Sequence, residues 1–163
     1  MIRIGSGFDV HAFCEGNGLV LGGAKIPFNK SFKAHSDGDV LIHSICDALY
    51  GSLALGDIGY YFPPDELKWK DCSSDIFLIH AMKLIKEHGY IVENIDTTII
   101  CERPKIKPYI SDIQSCLAQI MSLSPSQISI KATTTEKLGF CGREEGMAVQ
   151  SVCLIKKLTL KNA

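Results

Sequence analysis

The chain has 163 residues, 46% of them hydrophobic and 21% charged, with a formal net charge of −1. That balance suits one globular domain able to bury ~70% of its unfolded surface, and it provides no electrostatic basis for binding nucleic acid or an anionic membrane. No apolar run approaches the ~20 residues that span a bilayer, and the N-terminus lacks the apolar core of a signal peptide, so the expected compartment is the cytoplasm.

Residues 2–8 read as a short apolar strand. Residues 18–28 read as a hairpin turning at Gly22-Gly23. A polar connection from Lys30 to Ala34 follows. Ser36-Asp37-Gly38-Asp39 has the hydroxyl-to-acid spacing of a capping box, predicting a helix from Asp37 to Leu55 closed by Gly56. Residues 56–73 are rich in Gly, Pro and aromatics and read as a mobile loop and candidate lid. Ser74 can cap a second helix with Ile76, Ile79, Leu84 and Ile85 on one stripe, ending at Gly89.

A β-branched strand is expected from Ile91 to Cys101, then a basic loop, then a helix from Pro108 to Ser122. Gln127 to Ala132 is a strand, and Thr133-Thr134-Thr135-Glu136 leads into one helical turn around Lys137. Gly139 to Glu145 turns, Met147 to Ile155 is the last strand, and the tail from Lys156 to Ala163 frays. Strands and helices are mixed without strict alternation. The expected fold is α+β: a single-domain sandwich of a mixed β-sheet with helices on one face. The seven cysteines are odd in number, widely spaced and without a CxxC pair, so they read as reduced and mostly buried.

Three groups of residues carry chemistry. Asp9 and His11 are two apart, so on a strand they share a face. His43 could join them from the following helix as a third ligand, a set that suits zinc or non-haem iron. The same residues could instead satisfy turn backbone. Asp47, four residues after His43, could orient its ring or face solvent. The threonine run before a helix start offers hydroxyls and backbone N–H groups to a phosphate, and Glu136 beside it makes sense with an intervening Mg²⁺. Arg103, Lys105 and Lys107 would then suit a nucleotide loop.

Four ordered motifs, Gly5-x-Gly7-Phe8-Asp9-Val10-His11, Ala34-His35-Ser36-Asp37-Gly38-Asp39, Gly56-Asp57-Ile58-Gly59 and Lys131-Ala132-Thr133-Thr134-Thr135-Glu136-Lys137-Leu138-Gly139-Phe140, closely resemble those of the 2-C-methyl-D-erythritol 2,4-cyclodiphosphate synthase family. The resemblance runs almost end to end, through the Gly142-Arg143-x-Glu145-Gly146 turn. It implies a homotrimer with active sites between subunits. It implies zinc at Asp9, His11 and His43, and Mg²⁺ or Mn²⁺ at Glu136 between the phosphates of a cytidine diphosphate. The loop Cys101-Glu102-Arg103-Pro104-Lys105-Ile106-Lys107 would receive the nucleotide with Ala132, Thr133 and Thr134.

Ser36, Asp57, Ile58, Gly59 and the loop Phe62-Pro63-Pro64-Asp65-Glu66 would meet the methylerythritol part. Relatives commonly carry Asp where this loop has Pro64. Thr135, Phe140 and Arg143 complete the implied substrate contacts, and His35 with Thr134 would stabilise the transition state. A central cavity near Phe8, Phe140, Arg143 and Glu145 would accommodate an isoprenoid diphosphate. The residues by themselves leave two other readings open: a metal-dependent phosphohydrolase, and a non-enzymatic, metal-stabilised nucleotide-binding module.

Overall fold

The computed structural model describes residues 1–34, 36–63, 66–69 and 72–158. Strand β1 (Ile2–Glu15) runs well past the expected end at Phe8 because it finds partners throughout its length. Residues 2–12 pair antiparallel with the last strand, and Phe13–Glu15 pair with Phe32–Lys30. A strand therefore occupies the segment that composition marks as a polar connection. Strands β2 (Leu19–Leu21) and β3 (Ala24–Ile26) form the expected hairpin, followed by β4 (Lys30–Phe32). Gly22 and Gly23 both take positive φ, the backbone a two-residue hairpin turn requires.

Helix α1 (Val40–Ser52) starts three residues later than the capping-box pattern suggests, because its cap is Asp39. The Asp39 carboxylate accepts from Ile42 N–H at 3.0 Å, and also from Gly22 N–H at 2.9 Å and Gly23 N–H at 2.8 Å. One buried side chain thus caps the helix and pins the hairpin turn. Burial pushes its carboxyl up to about 6 while the three N–H donors pull the other way. The expected loop after α1 contains a short helix, α2 (Ile58–Tyr61), capped by Asp57, and a 3₁₀ turn at Leu67–Trp69.

Helix α3 (Asp75–Glu87) buries Phe77, Leu78, Ala81 and Ile85. The expected stripe is offset: Ile76 and Ile79 are 46% and 53% exposed, because residues 77, 78, 81 and 85 are the ones that face the sheet and its neighbours. Strand β5 (Tyr90–Ile100), a 3₁₀ turn at Lys107–Tyr109, helix α4 (Ile110–Met121) and β6 (Ile128–Thr133) follow. The helical turn expected around Lys137 is absent. Glu136 and Lys137 sit in a turn at φ +52° and +69°, and the short helix α5 (Gly139–Gly142) comes after it. Strand β7 (Gly146–Lys157) reaches two residues into the segment read as a frayed tail, held by pairing on both edges.

The five-stranded sheet has the order β4-β1-β7-β5-β6, antiparallel except for the β5–β6 pair. The architecture is mixed α+β, with α1, α3 and α4 covering one face of the sheet. Odd residues of β1 point toward the helices, and even ones, including Ile2, Ile4, Phe8 and Val10, point outward and are exposed. Four of the cysteines, Cys46, Cys101, Cys141 and Cys153, are buried. Among the described residues no helix is long and apolar enough to cross a membrane.

Candidate active site

The Gly5-x-Gly7 pair positions the first half of the site. A Cβ on Gly5 would lie 1.8 Å from Ala48 O, and one on Gly7 would lie 2.0 Å from Ser44 O. With no Cβ there, the backbone of α1 settles directly on β1. Ser44 and Ala48, both small and one helical turn apart, form the contacting edge. Ser44 Oγ lies 2.7 Å from Ser151 Oγ on β7 and tethers the helix further. That close approach carries His43 over the next two inward-facing residues of β1, Asp9 and His11.

Their donor atoms converge. Asp9 Oδ2 is 3.0 Å from His11 Nε2 and 3.3 Å from His43 Nδ1, and the two ring nitrogens are 3.3 Å apart. The cluster is partly buried, with both histidine side chains 13% exposed. Burial alone would raise the Asp9 carboxyl, but the histidines beside it, His11 first, hold it well below the usual carboxylate range. Two imidazole nitrogens and a carboxylate oxygen within 4.8 Å of one another make a ligand set for a divalent transition ion. Their separations of 3.0–3.3 Å suit ligands that each reach one metal at ~2.0–2.2 Å. His11 Nδ1 is buried without a hydrogen-bond partner among the described residues.

Asp47 takes neither role considered for it. Its Oδ1 accepts from Ile58 N–H at 2.8 Å, anchoring α2 to α1. The two histidines of the cluster open into a cavity of about 380 Å³. Among the residues singled out in the sequence, His11, Ser36, His43, Ile58, Gly59 and Phe62 line it, with Val10 and Ala34 from the same motifs and Lys33, Trp69 and Phe77 from outside them. Asp57 caps α2 through Tyr60 N–H, just before the lining residues Ile58 and Gly59. Pro63 is half-buried and Glu66 pairs with Lys68 on the surface. His35, Pro64 and Asp65 lie outside the described residues.

A second cavity of about 170 Å³ is lined by Cys101, Pro104, Lys105, Ile106, Lys107, Ala132, Thr133 and Thr134. Two stretches that are only linked by resemblance in the sequence thus share one pocket. Along the loop, Cys101, Glu102, Pro104 and Ile106 are buried while Arg103, Lys105 and Lys107 are exposed, leaving the three cations available to an anion. Burial pushes the Cys101 thiol up to about 12, so it stays protonated and structural.

The threonine run does not lead into a helix N-terminus. It ends in the left-handed turn at Glu136-Lys137, where Thr134 Oγ1 lies 2.9 Å from Glu136 Oε1. Glu102 holds that turn, accepting from Lys137 N–H at 3.1 Å and pairing with Lys137 Nζ at 3.2 Å. The backbone N–H of Lys137 is the main reason the Glu102 carboxyl stays below its usual range. Thr135 Oγ1 donates to Leu138 O at 2.6 Å. Phe140 and Arg143 border neither cavity. Arg143 is exposed and holds Glu145 through two hydrogen bonds of 2.9 and 3.0 Å, beside a third hollow with Phe13 and Lys30.

Fold and site together define a small α+β protein with a carboxylate-histidine cluster able to hold a metal ion and a separate pocket of basic-loop and threonine residues. The YgbB family model matches residues 2–156. The chain is 49% identical over 158 residues to the 2-C-methyl-D-erythritol 2,4-cyclodiphosphate synthase of Marinobacter nauticus, covering 97% of this chain and 99% of that one. It is 53% identical over 155 residues to the bifunctional enzyme IspD/IspF of Rhodobacter capsulatus, covering 94% of this chain and 41% of the relative, so it spans about two fifths of that protein. Among solved structures, the CDP complex of IspF from Plasmodium falciparum matches with a TM-score of 0.86 and 35% identity, covering 97% of each chain. The chain belongs to the YgbB family, whose matched relatives include 2-C-methyl-D-erythritol 2,4-cyclodiphosphate synthases.

Proposed function

We propose that this chain catalyses the conversion of 4-diphosphocytidyl-2-C-methyl-D-erythritol 2-phosphate to 2-C-methyl-D-erythritol 2,4-cyclodiphosphate and CMP, as a single catalytic domain. The observation that carries the reading is the pairing of a partly buried Asp9-His11-His43 cluster with a basic, threonine-lined pocket on one small fold. The substrate brings its own nucleophile, the 2-phosphate, and its own electrophile, the β-phosphate of the cytidine diphosphate group. A phosphate is already ionised near pH 7, so no activated serine or cysteine is required. The protein's task is to bring two anions together in line.

Asp9, His11 and His43 would hold zinc, and Glu136 would hold Mg²⁺ or Mn²⁺ against the phosphates. Bound there, the cations neutralise phosphate charge and polarise the β-phosphorus. The chain's own groups do the positioning. The 101–107 loop with Ala132 and Thr133 receives the cytidine and its phosphates. Ser36, Asp57, Ile58, Gly59 and the loop from Phe62 to Glu66 orient the methylerythritol part. His35 and Thr134 donate to the charge that builds on phosphate oxygens. Thr135 buttresses the turn that presents Glu136. Holding an intramolecular attack in line can lower a barrier by ~7–11 kcal/mol in favourable cases.

The two halves of the site support a homotrimer with shared active sites. Asp9 and His11 are on β1, and Thr133 ends β6, with β7 and β5 between them. Three strand spacings amount to about 14 Å, too far for one diphosphate to touch both halves of a single chain. A neighbouring copy would supply the second half. The exposed apolar residues of the open sheet face, Ile2, Ile4, Phe8 and Val10, offer the contact. In such an assembly Phe8, Phe140, Arg143 and Glu145 would surround a central cavity suited to an isoprenoid diphosphate.

The deciding experiment incubates purified protein with the substrate and Mg²⁺ and follows products by phosphorus NMR. CMP with a coupled pair of cyclic diphosphate signals is the expected result. CMP with an uncyclised product would replace the reading by hydrolysis, and intact substrate with a folded, metal-loaded protein would reject it.

A further inference from the structure

We infer that Ser74 and Asp37 are positioning residues that fix the tautomer of His43, leaving its Nδ1 bare for the metal; this rests on the reading of Asp9, His11 and His43 as a metal centre. Ser74 occupies the N-cap position of α3, where the sequence predicts a helix cap, yet its hydroxyl makes no cap hydrogen bond. It is fully buried and is turned the other way. Its Oγ lies 2.5 Å from Asp37 Oδ1 and 3.0 Å from His43 Nε2, and its backbone N–H donates to Asp37 Oδ2 at 3.1 Å.

The direction of these bonds follows from proton count. An ionised carboxylate only accepts, so the single hydroxyl proton of Ser74 points at Asp37. Toward His43, the Ser74 oxygen can then only accept, and Nε2 must carry the proton. In neutral imidazole the other nitrogen is bare, and that nitrogen, Nδ1, faces the cluster, where His11 Nε2 at 3.3 Å can donate to it while also lying 3.0 Å from Asp9 Oδ2. Ser36 Oγ, 3.4 Å from the same Nε2, accepts from Gly38 N–H and leaves this assignment unchanged.

Asp37 is itself held in place. Its N–H donates to Cys72 O at 3.1 Å and its Oδ1 accepts from Asp39 N–H at 3.2 Å. His11 has nothing comparable, since its Nδ1 lacks a partner among the described residues. Among the described residues the two histidines are therefore unequal: a side chain holds the His43 nitrogen that points away from the cluster, and none holds that of His11. Groups that orient a ligating histidine commonly tune metal affinity by about 10–100-fold.

The test uses the full chain with isotope-labelled histidine, and compares it with S74A, S74T and D37N. Zinc affinity is read by chelator competition, and the His43 tautomer by long-range proton–nitrogen NMR of metal-free protein. The wild type should show the Nε2–H form. S74T, which keeps the hydroxyl, should bind zinc nearly as the wild type does, and S74A about 10–100-fold more weakly.

D37N tests the same hold from the other end. Asp37 Oδ2 accepts from Ser74 N–H and Oδ1 from Asp39 N–H, so an asparagine must turn its NH₂ toward one of these donors and lose that bond. That loosens the hold on the Ser74 hydroxyl and should lower zinc affinity. A wild-type His43 in the Nδ1–H form would overturn the inference whether or not any variant folds. So would folded S74A and D37N variants with wild-type zinc affinity. A wild type that binds no zinc would instead reject the metal-centre reading, while its tautomer would still decide the role of Ser74.

Discussion

Replacing Gly7 by Ala probes the link between fold and metal site. The added Cβ would sit 2.0 Å from Ser44 O and 2.8 Å from Ala48 N, both main-chain atoms of α1. Ordinary van der Waals contact begins near 3.4 Å, so 3.4 − 2.0 leaves α1 about 1.4 Å too close. Helix backbone cannot swing aside as a side chain can, so the whole helix must lift or tilt. Overpacking a core typically costs ~1–3 kcal/mol, and a clash with backbone belongs at the upper end of that range. For a chain of this length ~3 kcal/mol corresponds to a fall in Tm of roughly 6–12 °C.

His43 sits one residue before Ser44, so the same shift pulls its Nδ1 away from Asp9 and His11. Gly7→Ala should therefore lose stability in urea or thermal unfolding and lose zinc affinity together, although Gly7 carries no ligand atom. A variant with unchanged unfolding and unchanged zinc affinity would refute the account of why glycine stands there.

Asp39→Ala should destabilise more than Asp39→Asn in urea unfolding. Alanine strands the N–H groups of Gly22, Gly23 and Ile42, whereas asparagine keeps one acceptor oxygen, and each stranded buried donor costs ~1–3 kcal/mol. Glu102 has a lowered carboxyl in the fold, so it stabilises above its unfolded value near 4.5, and that contribution fades as pH falls toward the lower folded value. The Tm difference between wild type and Glu102→Gln should thus shrink as pH falls below about 4.5; a constant difference would reject the assignment. Zinc added to chelator-stripped protein should raise Tm, since ~100-fold excess over Kd stabilises by ~2.7 kcal/mol, and His43→Ala should abolish the rise. Equal shifts in both proteins would place the zinc elsewhere.

Local signals in the sequence identify the hairpin at Gly22-Gly23, the three long helices and the inward pairing of Asp9 with His11, because each rests on a short-range rule of turn chemistry or periodicity. The true length of β1 is invisible locally, since residues 9–15 mix polar and apolar side chains and are held as strand by pairing with β7 and β4. The same holds for Asp39 and Ser74. Ser74 is recognisable as a helix-cap residue and Asp39 as the acid of a capping box, but what they bind is decided by segments 37 and 16 positions away. The α3 stripe is misjudged for a related reason: Ile76 and Ile79 are apolar, yet the sheet lies on the side of Phe77 and Ala81. Glu136 is legible as a chemical group beside the threonines, whereas its left-handed backbone depends on Glu102 holding the next residue across the pocket.

The alternation along β1 also sets a reading frame. Gly5, Gly7, Asp9 and His11 work because all four face α1, while Phe8 and Val10 face away. Inserting or deleting one residue within Gly5–His11 would exchange the two sets, pushing bulk toward the helix and turning ligands outward. Along this stretch point substitutions can be graded in effect, but changes of length cannot. Descendants of this gene should tolerate insertions in the turns around it and almost none within it.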